Sequence, residues 1–184
     1  MSKKVLILTG DAVEALEVFY PYYRCLEEGF DATIAAPAVK KINTVVHDFE
    51  DWDTYTEKQA YKLDSHAAFS DIKPEEYDGL IIPGGRAPEH IRMNEYVPSI
   101  VEHFFQEGKP IAAICHASLV FTVINRELLK NREMSAYIAC KPEVESVGAT
   151  YINKPLHVDN NLVSGHAWPD LPAVMKEFIG QLHK

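Results

Sequence analysis

Cys115 and His116 sit side by side where the apolar run Ile111-Ala112-Ala113-Ile114 gives way to small residues. A thiol beside an imidazole is a pairing for nucleophilic catalysis, in which the thiolate attacks and the ring holds or returns the proton. An acid near the N-terminus fits the same chemistry. Glu14 follows an apolar run and a Gly10-Asp11 turn, in the first turn of an expected helix, and Glu17 competes with it. A carboxylic acid buried beside the thiol would stay protonated and donate to the thiolate. Acids also gather at helix N-termini because the helix dipole favours them, and spacing does not separate the two readings for Glu14. In "PGGRAPE" (83–89), Gly84 and Gly85 offer backbone N–H groups that can approach a ligand closely, with Arg86 and Glu89 behind them as site or interface residues. His166, in "VSGHAWPD", ends a further apolar run and is the weakest candidate, since a solvated or packed histidine is the plainer reading.

These residues need elements to carry them. "KVLILT" (4–9), "FDATIAAP" (30–37), "YDGLIIPGG" (77–85), "KPIAAIC", "EMSAYIAC" (133–140) and the turn-joined "HVDNNLVSG" (157–165) read as short strands. Helical patterns separate them. The apolar residues Val13, Leu16, Tyr20, Tyr23 and Leu26 recur at helical spacing, with Pro21 predicting a kink or restart. "NEYVPSIVEHFFQEG" (94–108) predicts a helix with Asn94 at its start and Gly108 past its end. A helix is expected from about Ala117, a short one from Pro142, and a last one carrying Leu171, Val174, Met175, Phe178, Ile179 and Leu182.

Strands separated by helices predict an α/β fold, a mostly parallel sheet with helices on both faces. Ligands then bind at the carboxyl ends of the strands. Cys115, Gly84-Gly85 and Glu14 all fall there. A strand–turn–helix junction at Cys115 would expose the side chain and aim a helix N-terminus at it, lowering the thiol pKa as in a nucleophile elbow. Cys25 and Cys140 are better explained as packed thiols.

The length of 184 residues suits one domain, 1–184, interrupted around 38–73 by a segment rich in acids and aromatics. That segment is too long for a plain loop and predicts an ordered insertion with short strands of its own. A net charge of -9 and the lack of any basic run argue against nucleic-acid or anionic-membrane partners. No apolar stretch is long enough for a bilayer, and the N-terminus turns acidic too soon for a signal peptide. Three widely spaced cysteines give neither a disulfide framework nor a zinc ribbon, and the histidines show no ligand spacing. The expectation is a cytoplasmic protein with no metal and no cofactor.

With "YDGLIIPGGRAPE", "GKPIAAICH" and "NLVSG" in this order, and "YPYYRCLEEGFDATIAAP" before them, the chain resembles the ThiJ/PfpI superfamily over nearly its whole length. The resemblance implies a class I glutamine-amidotransferase-like, flavodoxin-like three-layer sandwich with a nucleophile elbow. It implies Cys115 as nucleophile, the adjacent His116, and Glu14 as the acid from the first strand–helix turn. In the peptidase branch a glutamate from a neighbouring subunit completes the set. Its motif falls on Glu89, which implies a homo-oligomer, a dimer or hexamer. The insertion "VHDFEDWDTYTEK" resembles plant members associated with glutathione-independent glyoxalase activity. Ala117-Ser118 departs from the glycine usual after Cys-His, and the "SGHAWPDLP" tail differs from common forms.

Three functions follow. One is a lyase or deglycase acting on small reactive carbonyls such as methylglyoxal. The second is a cysteine peptidase or amidase, and the third a non-catalytic oxidative-stress thiol or chaperone. The insertion, which would narrow the pocket, places the carbonyl reading first.

Overall fold

The computed structural model describes residues 2–184. Its strands are β1 Lys4–Leu8, β2 Val13–Glu14, β3 Asp31–Ala36, β4 Lys41–Asp48, β5 Thr56–Asp64 and β6 Ala67–Ala68. They continue with β7 Gly79–Ile82, β8 Ile111–Ile114, β9 Glu133–Met134, β10 Thr150–Tyr151, β11 His157–Asp159 and β12 Leu162–Gly165. The α-helices are α1 Ala15–Glu27, α2 Ala87–Ile91, α3 Val97–Gln106, α4 Lys141–Ser146 and α5 Leu171–Leu182.

Seven strands form the central sheet in the order β11-β12-β8-β7-β1-β3-β6. All its pairings are parallel except β11 with β12. Strand alternation sorts the apolar residues onto two faces. Leu6, Leu8, Leu80, Ile82 and Ile111 point to one core with α3 and α4, and Val5, Ile7, Ile81, Ala112 and Ile114 to the other with α1 and α5. The result is the expected three-layer α/β sandwich. Because the chain moves from β1 outward to β3 and then returns to β7 on the other side of β1, strand order reverses there, and a crevice opens at the carboxyl ends of β1, β7 and β8.

Three local expectations need correction. Of 133–140 only Glu133–Met134 is strand, and Cys140 ends a 3-10 turn, Ile138–Cys140. Helix α1 runs through Pro21 without a restart, and it buries Ala15, Glu17, Val18, Pro21 and Cys25. The stripe of Leu16, Tyr23 and Leu26 faces outward instead. The segment after Cys115 is not an α-helix: Cys115–Val123 forms successive 3-10 turns.

The insertion is ordered, with longer strands than expected. Strands β4 and β5 make an antiparallel hairpin whose only further partner in its sheet is the two-residue β2. That single short pairing hangs the hairpin over the same end of the molecule as the crevice.

Candidate active site

Cys115 stands at the end of β8 with φ of 60°, the left-handed region that a side chain enters at a cost of about 1–2 kcal/mol. Such strain persists only where surroundings impose it. Here the Cys115 carbonyl accepts from the Tyr137 N–H at 3.1 Å. The turn brings Cys115 Sγ within 3.1 Å of His116 Nδ1, so the two adjacent side chains do meet. Both residues are buried.

The acid at the thiol is Glu17, not Glu14. Glu14 is the N-cap of α1, and its Oε2 accepts from the Glu17 N–H at 2.9 Å. Glu17 lies one turn further on, fully buried, with Oε2 accepting from the Gly84 N–H at 2.8 Å. Oε1 has no nitrogen or oxygen partner, and the carboxyl group's remaining neighbour is the Cys115 thiol. Burial, followed by the nearby Glu14 carboxylate, pushes Glu17 up to about 8, so it carries its proton at neutral pH.

The glycine turn is shaped by this contact. A Cβ on Gly84 would lie 2.5 Å from Glu17 Oε2 and 2.6 Å from Cys115 Cβ. Gly85 has φ of 70°, and a Cβ there would meet the Ala12 carbonyl oxygen at 2.4 Å. The Gly84 N–H is committed to Glu17 and is not free as an oxyanion donor, contrary to the expectation. The Gly85 and His116 backbone N–H groups are the ones that face the sulfur.

The thiol pKa also departs from expectation. Burial first, then the Glu17 carboxylate, pushes Cys115 above its ordinary value, and the backbone N–H groups only partly offset this. The α-helix N-terminus on which that expectation rested is absent, since the segment after Cys115 forms 3-10 turns. Burial, and after it the charge of His47, holds His116 down to about 4. The resting site therefore contains a neutral thiol, a neutral imidazole and a protonated carboxylic acid. Cys25 and Cys140 are buried thiols raised to about 12 by desolvation.

Arg86 does not reach for a ligand. Its guanidinium donates to Glu57 through Nε at 2.8 Å and Nη2 at 2.7 Å. That fork, with His47 Nε2 donating to the same carboxylate at 3.0 Å, holds Glu57 down to about 2. His166 lies one residue past Gly165, the residue paired with Ile114 at the end of β8. Its backbone N–H donates to Asp170 at 2.9 Å, and its Nε2 has no partner. Glu89 is exposed on α2 and lines an open recess of about 500 Å³ with Asp11, Ala12, Arg86 and His90.

Sequence reasoning missed the hairpin's contribution. The Tyr55 ring stacks on His47 at 4.2 Å and meets His116 and Tyr137 edge-on, each at 5.7 Å. The His116 and Tyr137 rings are 5.0 Å apart. Among the described residues no group of three or more His, Cys, Asp or Glu is gathered to hold a metal ion, and no helix is long and apolar enough to cross a membrane.

Known proteins share this sequence and fold over nearly the whole chain. The DJ-1/PfpI family model matches residues 3–181. The chain belongs to the DJ-1/PfpI family. A deglycase of Pyrococcus horikoshii is 38% identical over 176 residues, 96% of this chain and 97% of that protein. A deglycase of Thermococcus kodakarensis is 37% identical with the same coverage. DJ-1 homolog D of Arabidopsis thaliana is 37% identical over 98% of this chain, which spans 47% of that protein. Among solved structures, a two-domain Anabaena variabilis protein with DJ-1/ThiJ/PfpI-like and ferritin-like domains superposes with a TM-score of 0.86 at 25% identity. It is covered over 48% of its length and covers 99% of this chain. Drosophila melanogaster DJ-1beta superposes with a TM-score of 0.82 at 18% identity, covering all of this chain, which spans 92% of it, and shows the shared fold.

Proposed function

We propose that this protein is a cofactor-independent cysteine enzyme acting on small reactive carbonyls, of the glyoxalase or deglycase type. The observation that carries the reading is the placement of Cys115 Sγ between His116 Nδ1, at 3.1 Å, and the buried, protonated Glu17. Relatives named deglycase, matching this chain almost end to end, support the same class.

The chemistry begins with addition of the Cys115 sulfur to the aldehyde carbon of methylglyoxal. The thiol proton passes to the carbonyl oxygen, giving a hemithioacetal. A base then removes the remaining hydrogen from that carbon, and a proton is returned to the adjacent ketone carbon. His116, neutral at rest, is the base within reach of the sulfur, and Glu17 is the proton source and sink beside it. The product is a lactoyl thioester on Cys115. Water hydrolyses it to lactate and frees the thiol, with no net oxidation. A deglycase shares the first step, since the glycated adduct also presents a carbonyl-derived carbon to the sulfur.

Peptidase chemistry would use the same thiol on an acyl carbon, but burial of Cys115 and His116 beneath the hairpin disfavours an extended chain. The deciding experiment is lactate formation from methylglyoxal without glutathione, run beside repair of methylglyoxal-treated amino acids and hydrolysis of unstructured peptides. Hydrolysis without carbonyl turnover would overturn the reading.

Assembly belongs to the same proposal. The exposure of Glu89, on the helix that follows the Gly84-Gly85 turn, leaves its carboxylate accessible to a second copy of the chain. Light scattering at micromolar concentration should give a dimer or a multiple of it, and a monomer would remove the shared-site idea.

A further inference from the structure

We infer that the β4–β5 hairpin is the specificity wall of the thiol site, and that Tyr55 sets the size of the carbonyl compound admitted. The substrate part of this inference rests on the carbonyl reading above; the access part does not.

The carboxyl ends of β7, β8 and β12 are neighbours in the sheet and carry Arg86, Cys115 and Trp168 on the segments that follow. The hairpin touches all three segments, through Arg86, His116 and Trp168. At one end Glu57 takes the Arg86 fork. At the other, the Phe49 ring stacks on Trp168 at 6.0 Å with an interplanar angle of 24°. Between these abutments Tyr55 lies over the nucleophile's own partner, with His116 and Tyr137 at its edge.

Centroid separations of 5.0–5.7 Å among Tyr55, His116 and Tyr137 are ordinary aromatic contact distances, so no further ring or chain fits between them. Since His116 lies against the sulfur, a reacting carbon that approaches Cys115 from the hairpin side meets this closed group of rings. Tyr55 itself is pressed against the hairpin by the His47 ring, and His47 is fixed by its bond to Glu57. The Tyr55 hydroxyl makes no hydrogen bond to the described residues, which leaves the ring's shape as its contribution. His47, Glu57 and Arg86 are thus positioning residues, and Tyr55 is the group a substrate meets. The ion pair is half-exposed at Arg86, so it aims the hairpin more than it stabilises the fold. The class of substrate that fits is a 2-oxoaldehyde with one small substituent, rather than an aryl-substituted one or a peptide segment.

The test uses the full-length protein and two readouts. The first is the alkylation rate of Cys115 by iodoacetamide and by a fluorescein-sized iodoacetamide, followed site by site by mass spectrometry. The second is the ratio of kcat/KM for phenylglyoxal to that for methylglyoxal. Tyr55→Ala should raise both bulky-to-small ratios about tenfold, the scale of a lost steric restriction in a pocket. Glu57→Gln, which loosens the hairpin without touching the wall, should raise them less, and Tyr55→Phe should keep the wild-type ratios. Unchanged alkylation ratios in both Tyr55→Ala and Glu57→Gln would overturn the inference. So would an equal acceleration at Cys25 and Cys140, which would make the hairpin a support of the whole fold. A wild-type protein inert toward every carbonyl would sink the proposed reaction, while the alkylation ratios would still decide the wall.

Discussion

The Gly84 N–H donates to Glu17 Oε2 at 2.8 Å across 67 positions of sequence, and this single bond aims the acid at Cys115. It joins the first strand–helix turn to the glycine turn after β7. The donor in that connection is a backbone amide, so no second side chain is needed to hold the acid.

Replacing the two competing acids should separate them. Glu17→Gln keeps the shape but removes the transferable proton, so turnover should fall by at least about a hundredfold, the lower range for a lost general acid or base. Glu14→Ala removes an N-cap and should cost about 1 kcal/mol of stability while retaining most activity. Steady-state kinetics and thermal melts on both variants check this, and equal activity losses would refute the assignment.

Stability should carry the signature of the buried acid. Glu17 rises from 4.5 to about 8 on folding, so its stabilising contribution is full below pH 4.5 and is lost as pH climbs to about 8. His116 falls from 6.5 to about 4, so its contribution is present above pH 6.5 and lost as pH drops to about 4. The two slopes oppose each other between 4.5 and 6.5, which leaves 6.5 to 8 as the clean window. There wild-type stability should decline by up to about 1.4 kcal/mol per pH unit, and Glu17→Gln should be flat. Urea unfolding across that window would show it.

Alkylation should expose the coupling between thiol and acid. At about pH 9 the ionised Glu17 repels the thiolate, so Glu17→Gln should label faster at Cys115 than wild type. At about pH 6.5 both side chains are neutral and the two proteins should label alike. A constant rate difference across pH would mean that the carboxylate does not act on the thiol by charge.

Gly84→Ala places a methyl group against Glu17 Oε2 and Cys115 Cβ. Since both are buried, the turn must shift, at about 1–3 kcal/mol for overpacking. Activity should be lost at a temperature where circular dichroism still reports a folded protein. A fully active Gly84→Ala variant would show that the close approach is not needed.

The sheet and the nucleophile were legible because buried parallel strands are short apolar runs, and because Cys115 ends one of them. Glu17 was legible only as a competitor of Glu14. Its 17–21–25 stripe with Pro21 and Cys25 is the buried face of α1, whereas the apolar stripe of Leu16, Tyr23 and Leu26 pointed to the opposite face. Tyr55 and His47 were not legible as site residues, since nothing in their local pattern fixes where a hairpin will lie. Their position follows from the pairing of Val13 and Glu14 with Thr44 and Val45, a contact about 31 residues apart that no local pattern encodes.

The order of the central strands has a consequence for the growing chain. Glu17, the Gly84 turn and the hairpin all precede Cys115, so a chain made from its N-terminus has the cradle available before the sulfur emerges. Strand β8 adds to the waiting edge of β7 and becomes the edge itself until β12 arrives. For that interval the nucleophile's strand offers an unpaired ladder, the kind that recruits other chains. The interval in which residues 162–165 are still undocked is therefore the one of greatest aggregation risk, and β12 acts as the seal that closes it.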